Sequence, residues 1–210
     1  MIKLKNIVES KFASDQELYH YTIIKKMYRM LKIDKMLSKT YYEKLKSYAF
    51  SFSRSKIWFY DNAVYDKTGI KTECAIVFSA DKLSSKYKMK PYNFFNEFGN
   101  IDNWNDIMQK KYHEYEERIL SSTNIIPNVK RYIIGIYVSK RFIISLSEYD
   151  FSEFIYELDV VLNNNVSGRN FDIHDNRFAY LFDKHSTDDD RLNYIKNKIE
   201  KDFGIKVTLI

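Results

Sequence analysis

Carboxylates two positions apart on a strand can divide the work of breaking a polar bond. One stabilises positive charge as it develops, and the other orients or deprotonates an incoming nucleophile. Residues Tyr112–Leu120, YHEYEERIL, carry such a set. Strand side chains alternate between faces, so a strand here groups Glu114, Glu116 and Arg118 on one face and Tyr115, Glu117 and Ile119 on the other. Glu114 and Glu116 then stand about 7 Å apart along the strand, with Arg118 beside them to keep one ionised. The alternative is a solvated face, or the end of a helix begun at Asn103, because runs of charge usually meet water.

The elements around this stretch are legible in turn. Residues 1–16 read as a short amphipathic lead-in. Glu17–Thr22, ELYHYT, is rich in aromatic and β-branched residues and predicts a strand. Ile23, Ile24, Met27, Met30 and Leu31 then recur at helical spacing, with Thr22 as N-cap. KIDKMLSK follows as a connecting segment, and Tyr48–Ser53, YAFSFS, alternates as a second strand. Ile57–Ile70 predicts a hairpin or loop turning near Lys67-Thr68-Gly69. Glu73–Ser79 is a hydrophobic strand, and Asp81–Pro91 a polar connection in which Pro91 opposes a helix. Gly99 and an Asn/Asp cluster mark a loop before a short helix from Asn103. Beyond the glutamates lie a polar turn with Ile126-Pro127 and a strand over Arg131–Val138, RYIIGIYV. Phe151, Phe154, Ile155, Leu158, Val161 and Leu162 form a helical stripe, followed by a break at Asn163–Gly168 and a strand or loop at Phe171–Phe182. Thr187, with Asp190 at the third helical position, caps a last helix lined by Leu192, Ile195 and Ile199. Gly204 stops it and Ile205–Ile210 returns as a strand.

Composition sets the outer bounds. The 210 residues, 45% hydrophobic and 30% charged, suit one sizeable globular domain. No apolar run approaches the roughly 20 residues that cross a bilayer, and MIKLKNIVES is too charged for a signal-peptide core. A single cysteine, Cys74 in CAIVF, excludes an internal disulfide, fits a reducing cytoplasm and reads as an inert core thiol. The net charge of +6 is spread along the chain, so it locates no nucleic-acid groove. Tyrosines beside lysines could stack bases or reflect a lysine- and tyrosine-rich composition. With 2 Pro and 5 Gly there is no Gly-rich phosphate loop. His113, His174 and His185 show no metal-ligand spacing, and no metal is expected.

Three pieces stand in order: LYHYT leading into a helix, FSFSRS on a strand, and HEYEERIL followed by RYIIGIYV. This order resembles the ADP-ribosyltransferase superfamily, in particular the small ADP-ribosyltransferase-like proteins of tailed bacteriophages, and more distantly its DNA-targeting toxins. The resemblance covers residues 17–138. It implies an α+β fold with a split, mixed β-sheet core of the ADP-ribosyltransferase type and flanking helices. Residues 17–210 then form one domain, with an NAD-binding core at 17–138 that residues 139–210 complete or extend.

By the same resemblance, the first motif presents His20, Tyr21 and Thr22 to the nicotinamide end of NAD. Ser51, Phe52 and Ser53 support the nicotinamide ribose, and Arg54 pairs with the pyrophosphate or a substrate phosphate. The third motif falls on Glu114 and Glu116, with Glu116 catalytic. Glu117 is the rival acid if the Tyr115/Ile119 face borders the cleft. Tyr41, Tyr42 and Tyr60 are candidates for a second NAD-stacking tyrosine. Each residue has a plainer alternative: a hydrogen-bonded core histidine for His20, outward strand positions for Ser51 and Ser53, a surface cation for Arg54. The implied activity is mono-ADP-ribosyl transfer from NAD, as co-substrate, to a macromolecular acceptor, a host protein or nucleic acid, in the cytoplasm of a phage-infected host. The alternatives are an NAD glycohydrolase, an NAD-dependent RNA 2'-phosphotransferase, and an inactive binding module of this fold that inhibits a host factor. No membrane partner is expected.

Overall fold

A computed structural model describes residues 15–54, 73–91, 116–163 and 187–210. In chain order the elements begin with β1 (Glu17–Thr22), α1 (Ile24–Ile33), β2 (Lys35–Leu37), β3 (Tyr41–Tyr42), β4 (Ser47–Ser53) and β5 (Cys74–Ser79). They continue with α2 (Ala80–Ser84), β6 (Lys88–Pro91), β7 (Glu116–Ser121), β8 (Ile125–Pro127) and β9 (Ile133–Val138). The last are α3 (Lys140–Ser145), α4 (Glu148–Asn163), α5 (Asp188–Phe203) and β10 (Val207–Leu209). The protein is α+β, with a mixed sheet and flanking helices. Its described residues divide into two compact units, 15–20, 34–54, 77–91 and 116–134 in the first and 21–33, 73–76, 135–163 and 187–210 in the second.

In the first unit the strand order is β5-β1-β4-β7-β6, with β3 pairing β4. The β1–β4, β4–β7 and β7–β6 pairings are antiparallel, and β2 and β8 form a separate antiparallel ribbon. Leu18, Phe50, Phe52, Met89 and Ile119 are buried at alternate positions, and Tyr19, Ala49, Ser53 and Arg118 between them are buried as well. Lys46 turns β3 into β4 in a left-handed conformation, φ 47°.

In the second unit β5 lies beside β9, and β10 pairs with β9 in parallel. Helix α1 buries Ile24, Met27, Met30 and Leu31 of the expected stripe and adds Tyr28, while Ile23 precedes the helix and is half-buried. Helix α5 begins as expected: the Thr187 hydroxyl accepts from Asp190 N at 3.2 Å and donates to Asp190 Oδ2 at 2.6 Å. It ends at Gly204, whose φ of 68° suits a residue without Cβ. Cys74 is buried, its thiol pushed up by desolvation.

Four expectations need correction. Thr22 is the last residue of β1, and Glu73 serves the N-terminus of α1 instead, its Oε2 accepting from Ile24 N at 2.9 Å. Residues 81–91 are not a bare connection: Ser79 caps α2, accepting from Lys82 N, and Met89 of β6 is buried opposite Ile119. The strand expected from Arg131 starts at Ile133, after a 3-10 turn over Val129–Tyr132 in which Lys130 N donates to Asp34 Oδ1 at 2.8 Å. KIDKMLSK and Ile126-Pro127 contribute β2 and β8 rather than links. The hairpin of 57–70, the helix from Asn103, the segment 171–182, the break after Asn163, most of the lead-in, and Tyr60, His113, His174 and His185 lie outside the described residues.

A polar network ties the helices of the second unit. Tyr28 donates to Asp202 at 3.0 Å, and Lys198 donates to Asp159 at 2.6 Å and stands 3.2 Å from Asp202. Burial opposes the charge on Lys198, yet its bond to Asp159 and the two carboxylates hold its pKa above the ordinary lysine value. Burial, then Asp202, also raises Tyr28. Both groups hold their protons more tightly folded than unfolded. Their stabilisation is therefore complete below about pH 10 and lost as pH rises further. The urea midpoint should fall above about pH 10, and fall less steeply in Lys198→Met and in Tyr28→Phe.

Candidate active site

The antiparallel register of β4 against β7 sets Ser53 opposite Glu116, Phe52 opposite Glu117 and Ser51 opposite Arg118. On the far side of β7, Pro91 stands opposite Glu117 and Lys90 opposite Arg118. On the near side, Tyr19 of β1 pairs with Ser53. One step along that register brings His20 beside Phe52, where their ring centroids are 6.1 Å apart. Directly opposed residues share a sheet face. His20, Phe52 and Glu117 therefore form one row across three strands, with about 10 Å of backbone separating the imidazole strand from the carboxylate strand. The neighbouring row is Tyr19, Ser53 and Glu116.

Glu117 is 1% exposed, which strongly disfavours a charge unless a cation meets it. Arg54, the residue immediately after β4, forms an ion pair with its Oε1. Arg54 keeps 31% of its side chain exposed, so its guanidinium reaches the buried acid from the rim. The Phe52 ring packs edge-on against Phe78 at 5.3 Å. His20 Nδ1 lies 3.2 Å from the Ser51 carbonyl oxygen. A carbonyl can only accept, so Nδ1 carries a proton in this bond. An imidazole and a carboxylate paired with a guanidinium in one row can hold a sugar and stabilise positive charge developing on it.

The row through Arg118 is arranged differently. Arg118 is 8% exposed, donates to the Tyr42 hydroxyl and lies 5.8 Å from the Tyr42 ring centroid. Burial lowers its pKa to about 10, which leaves it cationic at neutral pH. Tyr41 instead packs against Tyr48 at 4.8 Å.

His20, Ser51, Phe52, Ser53, Arg54, Glu116 and Glu117 thus fall on three adjoining strands of the first unit, or directly after one. Ser53 is buried and Ser51 exposed. Tyr21 and Thr22 belong to the second unit, where the Thr22 carbonyl accepts from Glu73 N at 3.2 Å and from the Cys74 thiol at 3.5 Å. Glu114 lies outside the described residues. Sequence reasoning missed the bond between Arg54 and Glu117 and that between Arg118 and Tyr42. Parity offered one signal, since Arg54 continues the alternation of Phe50 and Phe52, but the β4–β7 register that completes it is invisible in sequence.

No protein-family model matches the chain, and no curated protein matches it. Among solved structures, Thermus sp. 2.9 DarT in complex with NAD+ is similar at 12% identity and a TM-score of 0.38, covering 73% of this chain and 93% of that one. Thermus sp. 2.9 DarT in complex with ADP-ribosylated ssDNA is similar at 12% identity and a TM-score of 0.39, covering 77% of this chain and 96% of that one. Likeness at this level assigns neither a family nor an activity to the chain.

Breaking a buried ion pair from one side leaves its partner charged and unsolvated. Arg54→Met should cost about 3 kcal/mol, the low end for a buried pair because Arg54 is partly exposed. Adding Glu117→Gln should recover part of that loss. Urea unfolding of the two single variants and the double variant measures both effects.

Proposed function

We propose that the protein transfers ADP-ribose from NAD to a macromolecular acceptor, on a split-sheet core of the ADP-ribosyltransferase type. One observation carries this reading: His20, from the first motif of the resemblance, and Glu117, the rival acid beside its third, share a row on one sheet face. Cleaving the nicotinamide–ribose bond builds an oxocarbenium-like cation, and the Glu117 carboxylate is the group to stabilise it and orient the ribose hydroxyls. His20, its Nδ1 donating to the Ser51 carbonyl, presents its ring to the dinucleotide. Ser51, Phe52 and Ser53 form the strand beneath, and Tyr21 and Thr22 continue the first motif. Glu117 takes the catalytic role over Glu116 because Glu116 belongs to the adjacent row with Ser53 and Tyr19. Glu116 and Glu114 are left to serve the incoming acceptor.

The burial of Glu117 favours a second reading, a binding module of the same fold in which the acid is structural and no turnover occurs. Incubating the protein with labelled NAD and a bacterial lysate separates the two. Transfer predicts labelled macromolecule, reduced about 100-fold or more by Glu117→Gln and far less by Glu116→Gln. NAD should also raise the melting temperature, because a ligand bound by the native state alone stabilises it. Free ADP-ribose without labelled macromolecule would mark a glycohydrolase. No thermal shift and no label would leave the binding module.

A further inference from the structure

We infer that Arg54 acts on Glu117 rather than on a phosphate of the dinucleotide, as a positioning residue that holds the buried carboxyl anionic and aimed along its row. The inference rests on the ADP-ribosyl-transfer reading for the reaction that it serves, while the electrostatic claim stands on the ion pair itself. Glu117 is 1% exposed; Phe52 stands directly opposite it on β4 and Ile119 two positions on along β7, both buried. Such a setting drives a carboxyl toward its neutral form, and a neutral Glu117 can neither stabilise an oxocarbenium-like cation nor accept strongly from ribose hydroxyls.

Among the described residues, the charged and titratable groups on the packed elements are these. From β1, His20 stands at the register position of Phe52, their ring centroids 6.1 Å apart. On β6, Lys90 stands at the register position of Arg118, one step from that of Glu117. On β7 itself, Arg118 belongs to the alternate row and is engaged with Tyr42. Arg54, at the end of β4, reaches the Glu117 carboxylate directly. Its position just past the last residue of β4 fixes where the guanidinium starts, and the β4–β7 register fixes where the acid waits. The two backbones therefore pre-set the pair without help from substrate.

The role separates cleanly from phosphate binding. A pyrophosphate ligand removed from the site raises KM for NAD and leaves the ionisation of Glu117 alone. A positioning residue removed from the site raises the pKa of Glu117, lowers kcat, and moves the acid limb of the pH–rate profile upward. The experiment uses full-length protein labelled with 13C at the glutamate carboxyls, with the Glu117 signal assigned by its loss in Glu117→Gln. Arg54→Met should shift the Glu117 titration upward by about one pH unit or more, a tenfold change in the acid–base balance. The acid limb of NAD cleavage should follow by a similar amount, and Arg54→Lys should return most of both shifts. Chemical-shift dispersion in the spectra of Arg54→Met verifies its fold, and Arg54→Gln supplies a neutral variant that keeps a hydrogen-bond donor if Arg54→Met does not fold.

An unmoved Glu117 titration in Arg54→Met or Arg54→Gln overturns the proposal. So does a higher KM for NAD with an unchanged pH profile, which would return Arg54 to the phosphate. A Glu117 titration that moves in a protein with no NAD cleavage upholds the electrostatic claim and overturns the transfer reading instead.

Discussion

A carboxylate enclosed by aromatic and aliphatic side chains is tolerated only with a cation in contact, and that requirement shapes the sheet around Glu117. Arg54 meets it because the β4–β7 register brings the end of one strand beside the start of the other. A slip of one residue would turn each side chain of β7 to the opposite face. It would place Arg118 or Glu116 against Phe52 and send Ile119 outward. Phe50 opposite Ile119, with Met89 on the far side of Ile119, opposes that slip through apolar burial. The apolar pairs in the middle of the strands thus fix Glu117 opposite Phe52.

Several features could be read before any coordinates. The α1 stripe, the cap at Thr187 and the stop at Gly204 depend on neighbours within one turn, so local sequence specifies them. The strands holding His20 and Ser51–Ser53 were legible for the same reason, since their alternation is local. The choice between Glu116 and Glu117 was not. Their faces differ by parity, but which face meets His20 depends on β1, whose pairing with β4 lies more than thirty positions away in the chain.

The remaining misreadings share a cause. Thr22 has the chemistry of a helix cap, yet Glu73 provides the acceptor from 49 residues away, so a local rule gave way to a tertiary contact. The lysines around Met89 looked like solvated connection. Lys88 is exposed on the terminal strand in the described order of the first unit, where charge suits a border that other chains should not extend. The polarity was read correctly and the periodicity behind it was masked by Pro91.

The interleaving of the two units has a practical meaning for anyone cutting the gene. Strands β1, β5 and β9 each give residues to both units, and no single break in the polypeptide releases either one intact. Truncations chosen from a linear domain map would strip partners from both halves at once. The route to the native state must also bring distant segments together before either half can close, which places this chain among slow, non-local folders.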